Sequence, residues 1–361
     1  MATTLEDVAK RSGYSPATIS RVVNGNEGVR SEVRTAVEKA IRELGYVTRK
    51  SKQGASEQLI EVILHRSGML EHIAAGPDGL AVGPLTPVQE ETLLTPAWQS
   101  GNEFHLRILN GILGELKHWG GKAILQVVTD LADRTVVENL AADVSGVLIV
   151  GEGGPGVAAF AAACRRPVVL VDMLDPHGGS EQVTTDNFAG IGQAVEHLVG
   201  LGHRRLGFIG GGEVLADRER AQAFAFHATR LGAQVPTGWS EVAYDHVGPT
   251  VERLKALLAS GERPTGIACG NDWGALAAVR AADAAGLRLP RDLSVVGFDD
   301  IAMNAMTTPP ITSVRVSCEN LGGMAVRLLL SRRGRVEPQP CTLRLMPRLI
   351  VRGSTAPPPA G

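Results

Sequence analysis

The stretch SPATISRVVNG, residues 15–25, places Ser15, Pro16, Ala17, Thr18, Ser20, Arg21 and Asn24 within three short turns of chain. Small residues at the start of a short helix keep its outer face slim enough to enter the major groove of duplex DNA. Arg21 has the fork that pairs with a guanine edge, and Pro16 and Ala17 can touch thymine methyls. Thr18, Ser20 and Asn24 offer hydroxyl and amide groups for phosphates. A three-helix protein-interaction module would use a similar pattern, so charge is the useful discriminator. Residues 1–53 hold ten Lys/Arg against six Asp/Glu, whereas the whole chain holds 36 against 38. A basic head on an acidic body points to a polyanion as the head's partner.

The elements that must position these residues follow from the flanks. Thr4 can cap a first helix with Asp7 in a capping-box position, Leu5, Val8 and Ala9 form its apolar stripe, and Gly13 ends it. Ser15 caps the second helix and Pro16 occupies its first turn, where a missing N–H costs nothing. Ile19, Val22 and Val23 face inward, and Asn24-Gly25 closes the helix. A third helix is expected from Ser31 to Leu44, with Val33, Val37, Ala40, Ile41 and Leu44 inward and Gly45 as its stop. Two short helices joined by a tight turn and braced by a third make a helix-turn-helix.

TLEDVAKRSGYSPATISRVVNG followed by VRSEVRTAVEKAIRELGY closely resembles the DNA-binding head of the LacI/GalR family of bacterial transcription regulators. The resemblance implies that Ser15, Pro16, Ala17 and Arg21 face the bases of a near-palindromic, double-stranded operator. It also implies a hinge helix bearing a Leu that wedges into the minor groove. Here VTRKSKQGASEQ, from Val47, has no Leu before Leu59, so the expected hinge is degenerate, with Arg49, Lys50 and Lys52 left to meet phosphates.

Beyond Leu59 the runs LIEVILH, GVLIVG, PVVLVD, RLGFIGG, TGIACGND and LSVVGFDD read as strands buried on both faces, alternating with amphipathic helical stretches. This is a doubly wound α/β pattern, whose ligands bind at the carboxyl ends of the strands. GEGGPG at 151–156 satisfies G-x-G-x-x-G, which leaves a nicotinamide-dependent enzyme as an alternative, but Pro155 sits where helix N–H groups would face a pyrophosphate. No G-x-S-x-G, H-E-x-x-H or P-loop is present, so no catalytic residue, cofactor or metal is expected. Cys164, Cys269, Cys318 and Cys341 lie too far apart for a disulfide framework or zinc ribbon. The start is polar and charged from Glu6 onward, and no apolar run approaches the length of a membrane span. A cytoplasmic protein without a membrane partner is therefore expected, which argues against an exported solute-binding protein.

The body carries the same resemblance in VTTDNFAG, VEHLVGLGHRRLGFIGG, PTGIACGND, LRLPRDLSVVGFDD, PPITSVR and LIVRGSTAPP. The implied architecture is an N-terminal all-α helix-turn-helix head (1–48), a linker (49–58), and a two-lobed, type I periplasmic-binding-protein-like α/β effector domain (59–361). The chain would cross between the lobes near 184, 315 and 335. The implied protein is a homodimeric regulator, a repressor by family habit, controlled by a small molecule in the cleft. Asp172, Arg220, Asn271 and Asp299 are the implied cleft contacts, and a carboxylate, amide and guanidinium converging on one pocket suit a carbohydrate. Trp273 can stack on a sugar face or simply pack, and a strand-end Asp can equally cap the next helix. Val316 stands where many relatives carry Gln. Residues 66–101, rich in Gly and Pro, read as an insertion that either lids the pocket, with Trp98 as an aromatic contact, or lies on the surface. The next helix is expected from near Asn102.

Overall fold

The computed structural model describes residues 5–23, 31–44, 59–65, 96–128, 130–151, 153, 156–175, 177–211, 214–244, 247–259, 262–332 and 339–359. They divide into two units, Met1–Gln58 with Leu116–Lys122, and Leu59–Glu115 with Ala123–Gly361.

The head consists of α1 (Leu5–Ser12), α2 (Pro16–Val23) and α3 (Ser31–Leu44). Each is too short to be stable alone, so one shared core must hold them. That core is Val8, Ile19, Val22, Val37 and Ala40, with Ala9, Tyr14, Val33 and Leu44 packed against it. Gly13 adopts φ +76° and returns its N–H to the Ala9 carbonyl at 3.0 Å, which ends α1 without a Cβ clash. Ser15 caps α2, accepting the Thr18 N–H on Oγ at 3.2 Å. The expected Thr4 cap, the Asn24-Gly25 and Gly45 stops, the linker 49–58 and residues 66–95 of the insertion lie outside the described residues.

The body begins with β1 (Leu59–His65), α4 (Pro96–His118), β2 (Lys122–Val128), α5 (Arg134–Glu138), β3 (Gly146–Gly151), α6 (Val157–Ala163), β4 (Val168–Val171) and β5 (Glu181–Thr185). It continues through α7 (Asn187–Gly200), β6 (Leu206–Ile209), α8 (Leu215–Arg230), α9 (Val247–Ala259), β7 (Gly266–Cys269), α10 (Asp272–Ala284), β8 (Ser294–Asp299), a 3₁₀ turn (Ala302–Ala305) and β9 (Thr312–Arg315). It closes with α11 (Cys318–Ser331), β10 (Thr342–Leu345) and β11 (Arg348–Ile350). One sheet runs β10-β5-β4-β3-β1-β2 and the other β11-β9-β8-β7-β6. β1, β3, β4, β5 and β10 pair in parallel, and β11 runs antiparallel to β9 at the edge of the second sheet. Parallel strands covered by helices on both faces must be apolar throughout, and β3, GVLIVG, is buried at every position. In the second lobe Ile267, Val295 and Leu254 pack with the alanine face of α10, Ala277, Ala278 and Ala281, whose small side chains let helix and sheet approach.

The chain passes from the first sheet to the second between Thr185 and Asn187, and returns between Arg315 and Cys318. Its last passage lies between Leu345 and Arg348 rather than near 335, because β10 adds to the first sheet beside β5 before the chain leaves it. The helix expected from Asn102 begins at Pro96, so the end of the insertion, Trp98 included, is helical. Pro96 serves as a helix start because its ring presets φ and its absent N–H has no partner to lose.

α4 and α11 cross with almost no room between them. A Cβ on Gly111 would lie 2.0 Å from the Glu319 carbonyl oxygen, and one on Gly322 would lie 2.1 Å from that of Ile108. Two bidentate ion pairs, Arg107–Glu319 and Arg327–Glu115, flank the contact at 2.8–3.2 Å. Gly322→Ala is expected to cost about 1–3 kcal/mol in urea unfolding, because backbone rather than a movable side chain meets the new methyl. Gly114→Ala on the open face of α4 has nothing within 4 Å and is expected to stabilise by up to about 1 kcal/mol.

Candidate functional site

Two sets of residues carry chemistry, one in each unit. In the head, alternating burial along α2 puts Ile19 and Val22 in the core and leaves Pro16 and Arg21 exposed. Ser15 is exposed, and its Oγ lies 2.9 Å from Thr18 Oγ1 as well as capping the helix. Its hydroxyl therefore already has protein partners, and contact with a base competes with the cap. Ala17 and Ser20 lie on the α2 backbone, and Asn24 lies outside the described residues.

In the body, the carboxyl ends of the strands gather the polar residues. Asp172 directly follows β4, Asn271 lies two residues past β7, and Asp299 ends β8 with Asp300 next. Asp172, Asp299 and Asp300 hold φ values of +60°, +101° and +57°. Side chains other than glycine enter this region at a cost of about 1–3 kcal/mol, and such strain gathers at functional sites. Burial pushes the Asp299 carboxyl well above the usual carboxylate range; Arg220 pulls it back, while Asp272, Asp172 and Asp217 push it further. Asp172 from the first lobe and Arg220 from the second thus both act on Asp299.

Arg220, in α8, is buried and fully oriented. Its Nε donates to Asn187 Oδ1 at 2.9 Å, its Nη1 donates to the Gly270 carbonyl at 3.0 Å, and its Cζ lies 4.5 Å above the Phe298 ring. Asp217 adds an ion pair at 3.5 Å. Asn271 uses Oδ1 to cap α10, accepting the Gly274 N–H at 2.7 Å, so its NH₂ group is what it can offer a ligand. Trp273, in the first turn of α10, is half-buried.

Sequence reasoning overlooked His65, and it offered Asp272 and Asp300 only as strand-end cleft candidates beside Asn271 and Asp299. His65 ends β1 opposite Gly151 in register and is buried at the same sheet edge as Asp172. Its position directly after the apolar run Val62-Ile63-Leu64, where a strand must end, was the available signal. Asp272 is fully buried and accepts Ser313 Oγ–H at 2.6 Å and the Ile301 N–H at 2.8 Å, locking β9 and the 3₁₀ turn to α10. Gly297 makes room for it, since a Cβ there would meet Asp272 Oδ1 at 2.1 Å. Asp300 answers Arg315 and Arg352, each at 2.7 Å, which makes it a structural neighbour of Asp299. In the Gly-rich loop, Gly156 caps α6 with φ +95°, and a Cβ there would lie only 2.4 Å from the Ala132 backbone nitrogen. Among the described residues no cluster of metal-ligating side chains occurs, and no helix is long and apolar enough to cross a membrane.

A helix-turn-helix head followed by a two-lobed α/β body with a polar cleft defines a ligand-responsive regulator of the periplasmic-binding-protein-like class. Residues 4–49 match the model for bacterial regulatory proteins of the lacI family, and residues 195–355 match that for the periplasmic binding protein-like domain. The HTH-type transcriptional regulator reg1 of Streptomyces lividans is 32% identical over 99% of this chain and 97% of its own length. The ribose operon repressor of Escherichia coli is 26% identical over 97% and 99%. Among solved structures, a transcriptional regulator CelR–cellobiose complex superposes with a TM-score of 0.65 at 28% identity, covering 98% of this chain and 99% of its own. The lac repressor dimer bound to operator and the anti-inducer ONPF gives 0.64 at 26%, covering 99% and 100%. The chain belongs to the LacI family of bacterial transcription regulators.

Burial pushes the Asp272 carboxyl up to about 7, against the pull of its hydrogen bonds from Ser313, Asn304 and Ile301 and with a further push from Asp300. A carboxyl raised on folding contributes stability that is present at low pH and lost as pH rises through its folded value. His197 and His203, held below their usual value by burial, act in the opposite direction and gain from rising pH. The Asp272 contribution is therefore isolated by comparison with Asp272→Asn, whose amide can accept from Ile301 and donate to Ser313. Chemical denaturation at about pH 5 and about pH 8 should show wild type losing more stability, relative to the variant, at the higher pH.

Proposed function

We propose that this regulator binds a near-palindromic, double-stranded operator as a homodimer, acts as a cytoplasmic repressor, and is controlled by a neutral carbohydrate in the cleft. The proposed division is a head at 1–48, a linker at 49–58 and an effector and dimerisation domain at 59–361. The carrying observation is Arg21 exposed on a slim, capped helix whose opposite face is buried. In this reading Arg21 reads a guanine, Pro16 and Ala17 touch thymine methyls, and Ser15, Thr18, Ser20 and Asn24 fix the register on phosphate and base. The lac repressor dimer on its operator supports both partners, DNA and a second copy.

For the effector, Asp172, Asn271 and Asp299 accept from or donate to hydroxyls, Arg220 presents Nη2, and Trp273 stacks on a ring face. Burial and the nearby Asp272, Asp172 and Asp217 raise the Asp299 carboxyl, and Arg220 lowers it. That balance favours an uncharged polyol over a sugar phosphate, whose charge would be desolvated beside them. Cellobiose in CelR and the name of the ribose operon repressor support a carbohydrate. No catalysis or cofactor is proposed; the similarity to transcription regulators supports this reading over a nicotinamide-dependent enzyme on the 151–156 loop. Coupling of effector to operator would be about 1–3 kcal/mol, the usual range for two-site linkage.

Arg21→Ala should weaken binding to an operator selected from random duplexes by about 1–3 kcal/mol and relax preference at one base pair per half-site. Unaltered discrimination across single-base operator variants would remove Arg21 from base reading. A thermal-shift screen of neutral sugars against sugar phosphates should stabilise wild type only with the former, and Asp299→Asn and Asn271→Ala should abolish that shift. Stabilisation by sugar phosphates alone would overturn the effector class.

A further inference from the structure

The side chains behind Arg220 form a continuous chain of hydrogen bonds that leaves its lobe. Arg220 Nε donates to Asn187 Oδ1 at 2.9 Å, and Asn187 Nδ2 donates to Glu219 Oε2 at 2.9 Å. The other Glu219 oxygen, Oε1, accepts Arg344 Nη1 at 2.5 Å. Arg220 and Glu219 stand side by side on α8 in the second lobe, Asn187 opens α7 just after the first crossing, and Arg344 lies on β10 in the first sheet. Asn187 fits this place for a chemical reason. One end of its amide accepts and the other donates, so a single residue faces a guanidinium on one side and a carboxylate on the other. Those two partners fix the amide orientation. An Asp there would repel Glu219, and a Leu would leave the buried guanidinium without its acceptor.

The same helix fixes the last crossing. Gln193 donates Nε2 to the Pro347 carbonyl at 3.0 Å and accepts the Leu349 N–H on Oε1 at 2.8 Å. α7 therefore carries both the clamp on residues 347–349 and the amide that aims Arg220, with Arg344 three residues before Pro347. The Arg344 and Glu219 side chains are 40% and 20% exposed, so as a stability element the pair contributes little. Its geometry serves orientation instead: the last polar link before the cleft is answered by a charge on the opposite lobe.

We infer that Arg344 and Glu219 are positioning residues for Arg220, a cross-lobe charge pair that acts through Asn187 to aim the guanidinium and makes its aim depend on how the lobes are set. This rests on Arg220 as an effector contact for its functional meaning, and on the hydrogen-bond chain alone for its physical content.

Full-length protein with isotope-labelled arginine reads the Arg220 Nε–H directly by NMR, the signal being assigned by its loss in Arg220→Lys. Arg344→Ala and Glu219→Gln should shift that signal and speed its solvent exchange by about tenfold, as removal of a charged neighbour loosens a charge-assisted hydrogen bond. Arg344→Lys, which keeps the charge, should restore most of the protection. Asn187→Asp should retain protection, because a carboxylate still accepts from Nε, but a second change of Arg344→Ala should then have no further effect. An Arg220 signal whose exchange ignores Arg344→Ala overturns the inference. Titration with cellobiose, maltose and ribose tests the effector reading separately. Affinity lost about tenfold in Arg220→Ala, and by a smaller factor in Arg344→Ala, supports both. An Arg344-sensitive signal together with sugar binding that ignores Arg220→Ala leaves the positioning role standing and removes the effector assignment.

Discussion

A guanidinium cannot be buried unless the directions of its fork are answered, and in this protein the answers to Arg220 come from four elements. Asn187 heads α7, Gly270 directly follows β7, Phe298 lies within β8 and Asp217 shares α8. Satisfying one cation thus requires β7 and β8 to lie side by side in the second sheet, with the first crossing to bring Asn187 against them. The cleft is polar because this requirement is met at the strand ends, where backbone carbonyls and loop residues are available.

The surrounding carboxylates have a cost that the fold absorbs in two ways. Asp300 and Asp272 are neutralised or enclosed by structural partners, the arginines 315 and 352 for one and Ser313 and the Ile301 amide for the other. Asp299 lacks that degree of compensation, sits at φ +101°, and is raised by burial and then by its acidic neighbours. A group kept strained and partly uncompensated is the one whose energy most improves when a hydrogen-bonding ligand arrives. This is the physical sense in which Asp299 would respond to the proposed polyol.

The head works by a different economy. Five buried apolar residues hold three short helices, so most of the α2 surface is left for recognition. Recognition by the head and ligand binding by the body call for different surfaces: a slim helix that enters a groove, and convergent polar groups at strand ends.

The residue pattern alone was enough for the helix-turn-helix, the doubly wound body and the grouping of Asp172, Asn271 and Asp299 at strand ends. Periodicity, caps and strand-end position are local properties, readable within about ten residues. Pro96 as a helix start and β10 joining the first sheet were not legible in this way, the first because a Gly/Pro-rich flank hid the helical register, the second because four-residue edge strands carry little period. The burial of Asp272 under Gly297 and the pair between Glu219 and Arg344, 125 residues apart, were beyond sequence reasoning altogether. A carboxylate in a loop or helix has the same identity whether it caps, binds or clasps. Only the packing of distant segments sets its solvent and its neighbours, and those determine which of the three it does.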